Sequence, residues 1–233
     1  MPYLTRNDLE SIAKRVVTKF YALSQTTVDM RKIEPVQIAT RILGLSIEHL
    51  KLSMNGSILG ITSYGNASIS IFDISNSDSS YYLDGKTILI EKSLCAEDQR
   101  GRYNFTVAHE VSHQILKLLY PDEYGIRKRT AILYRTDKHK HSSLEWEEWQ
   151  ANTLAASILM PPDLVRKCLY RFGFNEKIHM LNRIFAHDEY VRFCCMAEFL
   201  GVSKEALAIR LGQLGVLDHN YLHNPYAIMD IEN

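Results

Sequence analysis

Three observations predict an α+β fold, in which a small and mostly antiparallel sheet is covered by helices. Apolar residues recur every three or four positions before residue 45 and again after residue 103, which is the period of amphipathic helices. Between these regions, short apolar alternations are separated by Asn55-Gly56 and Asp84-Gly85, which are typical of hairpin turns. A chain of 233 residues is long enough for one sizeable core and a small appended domain.

Two helices and a strand are predicted near the N-terminus. The first helix carries an apolar stripe from Leu9 to Phe20, and Thr5 with Asp8 forms a capping arrangement ahead of it. Pro35 begins a second helix, which Gly44 ends. The residues that follow, 45–52, are predicted to form a strand.

About four strands are expected between Ser53 and Glu91. The polar run Ser75 to Ser80 has nothing to bury and is predicted to be an exposed loop. The last strand, Lys86 to Glu91, leads into a long helix. A strand in that position could present a free edge on which an extended peptide adds as another strand.

The helix predicted from Tyr103 to Leu119 contains an HExxH motif. His109 and His113 are four residues apart, so they lie on one face about one turn from each other and can reach a single ion. Glu110 lies about 100° round the helix and borders that face. Zinc at such a site supplies a nucleophile at neutral pH and a Lewis acid, and the neighbouring carboxylate takes the proton of water. The alternative is a pair of core histidines satisfied by hydrogen bonds.

A third ligand is expected on a second buried helix, because catalytic zinc sites use three protein ligands and keep one position open. That helix begins near Ser143 and ends at Pro161. Glu148 fits best, since it leads into a face of small residues, where an acid must be paired, liganding or displaced from the core. Glu145 and Glu147 are weaker candidates, and Glu147 points about 100° away from Glu148. Alternatively, Glu148 is a solvated acid favoured by the helix dipole.

These two helices resemble those of the ImmA/IrrE-type metallopeptidases, which couple an RFTLAHELGH-like helix to a later ExxANxFAxxLLMP-like helix. Here the segments are NFTVAHEVSH at residues 104–113 and EWQANTLAASILMP at residues 148–161. Ser112 and Leu154 stand where the family commonly has glycine and phenylalanine. The resemblance also includes the segments before and after these helices, residues 33–48 and 199–215, and it implies a zincin-like metallopeptidase core.

Residue by residue, the resemblance implies His109, His113 and Glu148 as zinc ligands and Glu110 as the general base. A His-His-Glu set also accepts Mn²⁺ or Fe²⁺. The implied function is a zinc-dependent endopeptidase that cuts a protein substrate, a cognate transcriptional repressor of a mobile element or stress response that is encoded nearby. The alternative is a non-catalytic regulatory protein with a structural zinc that binds a repressor or DNA.

The C-terminal region is predicted to be helical, with the pattern of a helix-turn-helix around Gly201 and the N-cap Ser203. Its second helix offers only Lys204 and Arg210 as cations, which disfavours direct DNA binding. Together, the two motif helices and this C-terminal pattern predict three regions: a metallopeptidase domain at 1–165, a helix-turn-helix-like segment packed on the core at 166–218, and a tail at 219–233.

Composition narrows the class of protein further. Lys and Arg total 27, as do Asp and Glu, so no overall field attracts nucleic acid or an anionic membrane. The N-terminus lacks the pattern of a signal peptide, no apolar run reaches the length of a membrane span, and the four cysteines lack framework spacing. We therefore expect a cytoplasmic protein. The basic stretch Tyr124 to Ser143 is predicted to be a solvated loop or a contact for a partner.

Overall fold

A computed structural model describes residues 3–23, 30–72, 78–124, 130–132 and 143–229. These residues form helices and small sheets, which confirms the α+β class. The basic stretch between residues 124 and 143 lies largely outside the described residues. The prediction of an exposed loop at Ser75 to Ser80 is wrong for residues 78–80, which begin the strand Asp78–Asp84 because they pair with residues 70–72, while residues 75–77 lie outside the described ranges. No helix within the described ranges combines the length and the apolarity needed to cross a lipid bilayer.

The chain forms two compact units, and the first contains residues 1–26 and 34–159. Its helices are α1 (Arg6–Leu23), α2 (Pro35–Gln37), α3 (Arg100–Leu119), α4 (Pro121–Tyr124) and α5 (Ser143–Leu159). Its strands are β1 (Ser46–Leu50), β2 (Gly60–Ser63), β3 (Asn66–Phe72), β4 (Asp78–Asp84), β5 (Thr87–Glu91) and β6 (Thr130–Ile132). A π-helical turn at Ile38–Ile42 extends α2, and two 3-10 turns at Lys92–Cys95 and Glu97–Gln99 connect β5 to α3.

The predicted capping arrangement starts α1. The Thr5 backbone N–H and hydroxyl donate to Asp8 Oδ2 at 2.8 and 2.6 Å, and the Asp8 N–H donates back to Thr5 Oγ1 at 3.3 Å. The hydrogen bonds from Thr5 lower the pKa of the Asp8 carboxyl. This reciprocal pattern satisfies N–H groups that a helix start otherwise leaves without partners. The apolar face of α1 packs against α5, where the Ser157 hydroxyl donates to Glu10 Oε1 at 3.0 Å.

Both dipeptides form turns, but neither is a hairpin turn, because β1 and β2 are not neighbours in the sheet and β4 and β5 belong to different sheets. Asn55 Oδ1 accepts from the Ser57 N–H at 3.1 Å, and Asp84 Oδ1 accepts from the Lys86 N–H at 2.7 Å. The glycine of each dipeptide has a positive φ, 68° at Gly56 and 76° at Gly85, which a residue with a side chain rarely adopts. Four strands form between residues 53 and 91, as predicted.

The main sheet has the strand order β1-β5-β2-β6, with β1 parallel to β5 and the other pairs antiparallel. The prediction of a free edge on β5 is wrong, because β5 pairs with β1 on one side and β2 on the other. Every residue of β5 is buried, as expected of an interior strand. Within the described residues the sheet edges are β1 and β6. Strand β6 interrupts the stretch that was predicted to be loop, where three residues are too few to give a periodic signal.

The sheet separates α3 from the β3-β4 hairpin, because successive side chains of a strand point to opposite faces. Ile61 and Leu89 pack with hairpin residues, including Leu83, in one apolar cluster. On the other face, Thr62 accepts a hydrogen bond from the Gln114 side chain of α3. The same amide group donates to the Ser63 carbonyl oxygen at 2.8 Å, so α3 is attached to β2 by polar as well as apolar contacts.

The second unit contains residues 27–33 and 160–233. Its described elements are α6 (Pro162–Arg171), β7 (Ile178–Leu181), α7 (His187–Leu200), α8 (Lys204–Gln213), β8 (Leu217–Asn220) and a 3-10 turn at Pro225–Met229. Gly201, with a φ of 67°, ends α7, and Ser203 Oγ accepts from the Ala206 N–H at 3.1 Å to cap α8. Strands β7 and β8 pair in parallel.

The hairpin contact gives a test of the fold. Leu83 is fully buried, whereas its neighbour Tyr82 is 62% exposed. We expect Leu83→Ala to lower the free energy of unfolding by about 2–5 kcal/mol, through lost burial and a residual cavity. Tyr82→Thr, the control on the opposite face, should change it by no more than about 0.5 kcal/mol. Urea unfolding followed by circular dichroism measures both, and equal losses would contradict this packing.

Candidate metal centre

The centre of α3 is buried on all sides. Residues 106–116 are all buried, between the sheet on one side and α5 on another. This segment includes His109, Glu110, His113 and Gln114, and burying polar groups is costly unless each finds a partner. The partners of these four side chains therefore determine what the helix can do.

The two histidines and Glu148 converge on one point. The Nε2 atoms of His109 and His113 lie 3.0 Å apart. Glu148 Oε2 is 3.2 Å from Nε2 of His109, and its Oε1 is 3.5 Å from Nε2 of His113. All three potential ligand atoms lie within 4.8 Å of one another, and no other such group of His, Cys, Asp or Glu is found among the described residues. The structure thus brings together the three side chains that the sequence singled out.

The outer nitrogen of each imidazole has its own partner. His109 Nδ1 lies 3.0 Å from Asn152 Oδ1, and His113 Nδ1 lies 3.1 Å from the Tyr64 hydroxyl. That hydroxyl donates to Glu147 Oε1 at 2.5 Å. Glu147 therefore faces the far side of His113, which excludes it as the ligand beside Nε2. Glu145, the other alternative, is exposed at the surface.

Sequence reasoning missed Tyr64 and Asn152. Asn152 lies four residues after Glu148, one helical turn away on the same face, so its spacing could have indicated a contact in the site. Tyr64 directly follows β2 and is brought to His113 by the pairing of that strand with the sheet. No local pattern marks such a residue.

These contacts determine which nitrogen of each ring carries the proton. The carbonyl oxygen of Asn152 can only accept, so Nδ1 of His109 donates. The Tyr64 hydroxyl uses its hydrogen on Glu147, so its oxygen accepts from Nδ1 of His113. Each neutral ring then has a lone pair on Nε2, directed toward the carboxylate of Glu148. Three facing acceptors repel one another unless a proton or a metal cation joins them, and two imidazoles with a carboxylate are the ligands that zinc accepts.

The electrostatic environment favours an ionised Glu148. Burial raises the pKa of this carboxyl, but hydrogen bonds and charge interactions with the two histidines outweigh it and lower the pKa to about 2. Burial also lowers the pKa of His109, whose net shift is downward. Burial lowers the pKa of His113, but in the protonated ring a hydrogen bond to Glu148 and the nearby carboxylate charges outweigh it, so its pKa is raised. Glu148 is therefore an ionised carboxylate beside the imidazole rings of His109 and His113.

Glu110 has no comparable partner. It is fully buried, and neither of its carboxylate oxygens has a hydrogen-bond partner among the described residues. Burial raises the pKa of Glu110 to about 8, partly offset by the charge of His113. A carboxyl group with a pKa near neutrality can both take and return a proton, and such perturbed groups cluster at functional sites.

Glu110 lies directly against β2. A Cβ atom on Gly60 would lie 2.6 Å from Oε1 of Glu110 and 2.8 Å from Cγ2 of Thr106, closer than real side chains approach. Any larger residue at position 60 would therefore displace the carboxyl group or separate β2 from α3. The absence of a side chain on Gly60 is what allows this close approach.

Comparison with known families agrees with this arrangement. The family model for the IrrE N-terminal-like domain of M78 peptidases matches residues 66–212, which is more than half of the chain. The matched range includes α3 and α5 and begins two residues after Tyr64. No curated protein matches the chain.

Gly60→Ala tests the contact with Glu110. We expect a loss of about 1–3 kcal/mol in the free energy of unfolding, because the added methyl overpacks the site. Adding Glu110→Ala should recover part of that loss by removing two of the three clashing atoms, as a double-mutant cycle can show. Gly65→Ala is the control, since its methyl meets nothing within 4 Å. Equal losses at positions 60 and 65 would argue against the close approach.

Proposed function

Because the chain belongs to the M78 peptidase family with an IrrE N-terminal-like domain, we propose that it is a zinc-dependent endopeptidase that hydrolyses a peptide bond in a protein substrate. The observation that carries this proposal is the convergence of two Nε2 lone pairs and a carboxylate at His109, His113 and Glu148. The family supports a metallopeptidase, and the donor set supports the metal.

We assign His109, His113 and Glu148 as the metal ligands. Asn152 and Tyr64 hold the two imidazoles with Nδ1 protonated, so both rings present Nε2 without any rearrangement. When bound, zinc supplies a Lewis acid and lowers the pKa of water toward neutrality. Mn²⁺ or Fe²⁺ would suit the same ligands.

Glu110 acts as the general base in this proposal. Its carboxylate takes a proton from the water whose oxygen attacks the scissile carbonyl carbon. It then delivers the proton to the amine nitrogen as the carbon–nitrogen bond breaks, which leaves a carboxylic acid and an amine. Its burial, its raised pKa and its lack of a hydrogen-bond partner support this role. A purely structural metal site would have no use for such a group, which favours catalysis over the non-catalytic alternative.

The substrate we propose is a cognate transcriptional repressor of a mobile element or stress response, encoded near this chain. The support for this substrate is the family resemblance. The proposed regions are a peptidase domain at 1–165, a helix-turn-helix-like segment at 166–218 and a tail at 219–233. A cytoplasmic location remains a prediction of the sequence.

The proposal does not include direct DNA binding by α8. Of the two cations on this helix, Arg210 is 1% exposed and its Nε donates to the Met160 carbonyl oxygen at 3.0 Å. A buried guanidinium cannot contact phosphate, so only Lys204 is left on α8 for that purpose. DNA-binding helices normally combine several phosphate contacts.

Glu110→Gln tests catalysis separately from metal binding. We expect the variant to bind zinc stoichiometrically and to lose peptide cleavage by about 10²–10⁴-fold, because an amide cannot take a proton from water. The zinc-loaded protein and the variant would be incubated with a cell lysate, and new protein N-termini would be labelled and identified by mass spectrometry. The same new N-termini with Glu110→Gln would refute its role as base.

His109→Ala tests the ligand assignment. We expect the variant to lose stoichiometric zinc, because two protein ligands hold the ion much less tightly than three. His49→Ala, at an exposed histidine on β1, is the control and should keep full occupancy. Metal content after dialysis, measured by plasma mass spectrometry, gives the answer. Full zinc occupancy in His109→Ala would contradict the assignment.

A further inference from the structure

The imidazole of His113 lies between two consecutive carboxylates of α5. Oε1 of Glu148 is 3.5 Å from Nε2, on the side of the proposed metal. Oε1 of Glu147 is 3.8 Å from Nδ1, on the opposite side. That second distance is too long for a direct hydrogen bond. The Tyr64 hydroxyl lies between the two groups and contacts both.

The direction of these hydrogen bonds follows from the groups involved. A carboxylate only accepts, so the Tyr64 hydroxyl donates to Glu147 at 2.5 Å. Its oxygen then accepts the Nδ1–H of His113 at 3.1 Å. The result is a continuous chain from the carboxylate through the phenol to the imidazole. Its short bond to a carboxylate is of the stronger, charge-assisted kind.

We propose that Tyr64 and Glu147 are positioning residues that orient His113 and strengthen its Nε2 as a metal ligand. This inference rests on the proposed function, since it assumes that His113 binds a metal. Histidine ligands in metalloproteins commonly donate their other N–H to a neighbouring acceptor, which sets the ring orientation and raises its basicity. Here the acceptor is a phenol backed by a carboxylate.

This chain of hydrogen bonds lies in a buried part of the first unit. Glu147 is 8% exposed and His113 is 1% exposed, so water competes little for these hydrogen bonds. Tyr64 directly follows β2, which Gln114 attaches to α3 one residue after His113. The Lys117 ammonium lies 5.8 Å from the centre of the Tyr64 ring, one helical turn further along α3. Both ends of the hydroxyl contact are thus held by regular secondary structure.

The two histidines are supported differently. His109 donates to the neutral side-chain amide of Asn152, whereas His113 is connected to a carboxylate through Tyr64. A charge behind the ring increases the electron density on the opposite nitrogen more than a neutral amide does. Loss of the Glu147 charge should therefore weaken metal binding through His113 while leaving all three ligands in place.

The first experiment measures zinc affinity by competition with a chelator. Tyr64→Phe removes one oxygen and keeps the ring, and we expect it to weaken zinc binding by about 10–100-fold. Tyr82→Phe makes the same change at a residue of β4 that is 62% exposed and should leave the affinity unchanged. In the zinc-loaded protein, the Nδ1–H proton of His113 should be visible by NMR and should exchange faster with water in Tyr64→Phe.

A thermodynamic cycle then tests whether the two residues act as one chain. Glu147→Gln keeps the shape of the side chain and removes its charge, so it should also weaken zinc binding. The double variant Tyr64→Phe/Glu147→Gln should lose little more than the larger single loss, because the second change acts through the first. Either single variant alone suffices to measure the affinity if the other does not fold.

The outcomes separate the two proposals. Unchanged affinity in Tyr64→Phe, or additive losses in the double variant, would overturn the positioning role while the metal site stands. No zinc binding by the unaltered protein would overturn both proposals. Weaker, non-additive binding with an unchanged circular dichroism spectrum would support the orienting chain.

Discussion

The structure depends on burying a helix that carries strongly polar side chains. Eleven consecutive residues of α3 are buried, among them two histidines, a glutamate and a glutamine. Each such group must find a partner or remain costly. Gln114 is satisfied by β2, and the outer nitrogens of the histidines are satisfied by Asn152 and Tyr64. What remains is a set of inward-facing acceptors and one carboxyl group, and these are the groups that the proposed chemistry uses.

Helix α5 and strand β2 support this arrangement from two sides. Helix α5 provides Glu148 and Asn152 from one face and Glu147 from a neighbouring position. Strand β2 provides a glycine, against which Glu110 packs, and leads into Tyr64. The β3-β4 hairpin covers the opposite face of the sheet with apolar side chains, which keeps β2 in place. The site is therefore supported by a strand and a helix that are distant in sequence.

Much of the fold could be predicted because its signals are local. The capping pair Thr5 and Asp8, the glycine turns at 56 and 85, and the helical periods of α1, α3 and α5 involve residues a few positions apart. Strand order could not be predicted in the same way. The sequence shows that β5 is apolar and short, but its pairing with both β1 and β2 depends on residues up to about 40 positions away. Strand β6 could not be predicted either, because three residues are too few to give a periodic signal.

For the candidate site, the sequence by itself predicted His109, His113, Glu110 and Glu148, because helical geometry places the two histidines on one face and the two motifs resemble those of a known family. The sequence could not show which side chains lie on the side of each histidine that faces away from the proposed metal. Glu147 looked like a misdirected alternative to Glu148, and Tyr64 carried no signal at all. Only the packing of β2 and α5 against α3 brings Tyr64 and Glu147 to the far side of His113. Contacts within a helix follow from its repeat, whereas contacts between separate elements exist only once the chain has folded.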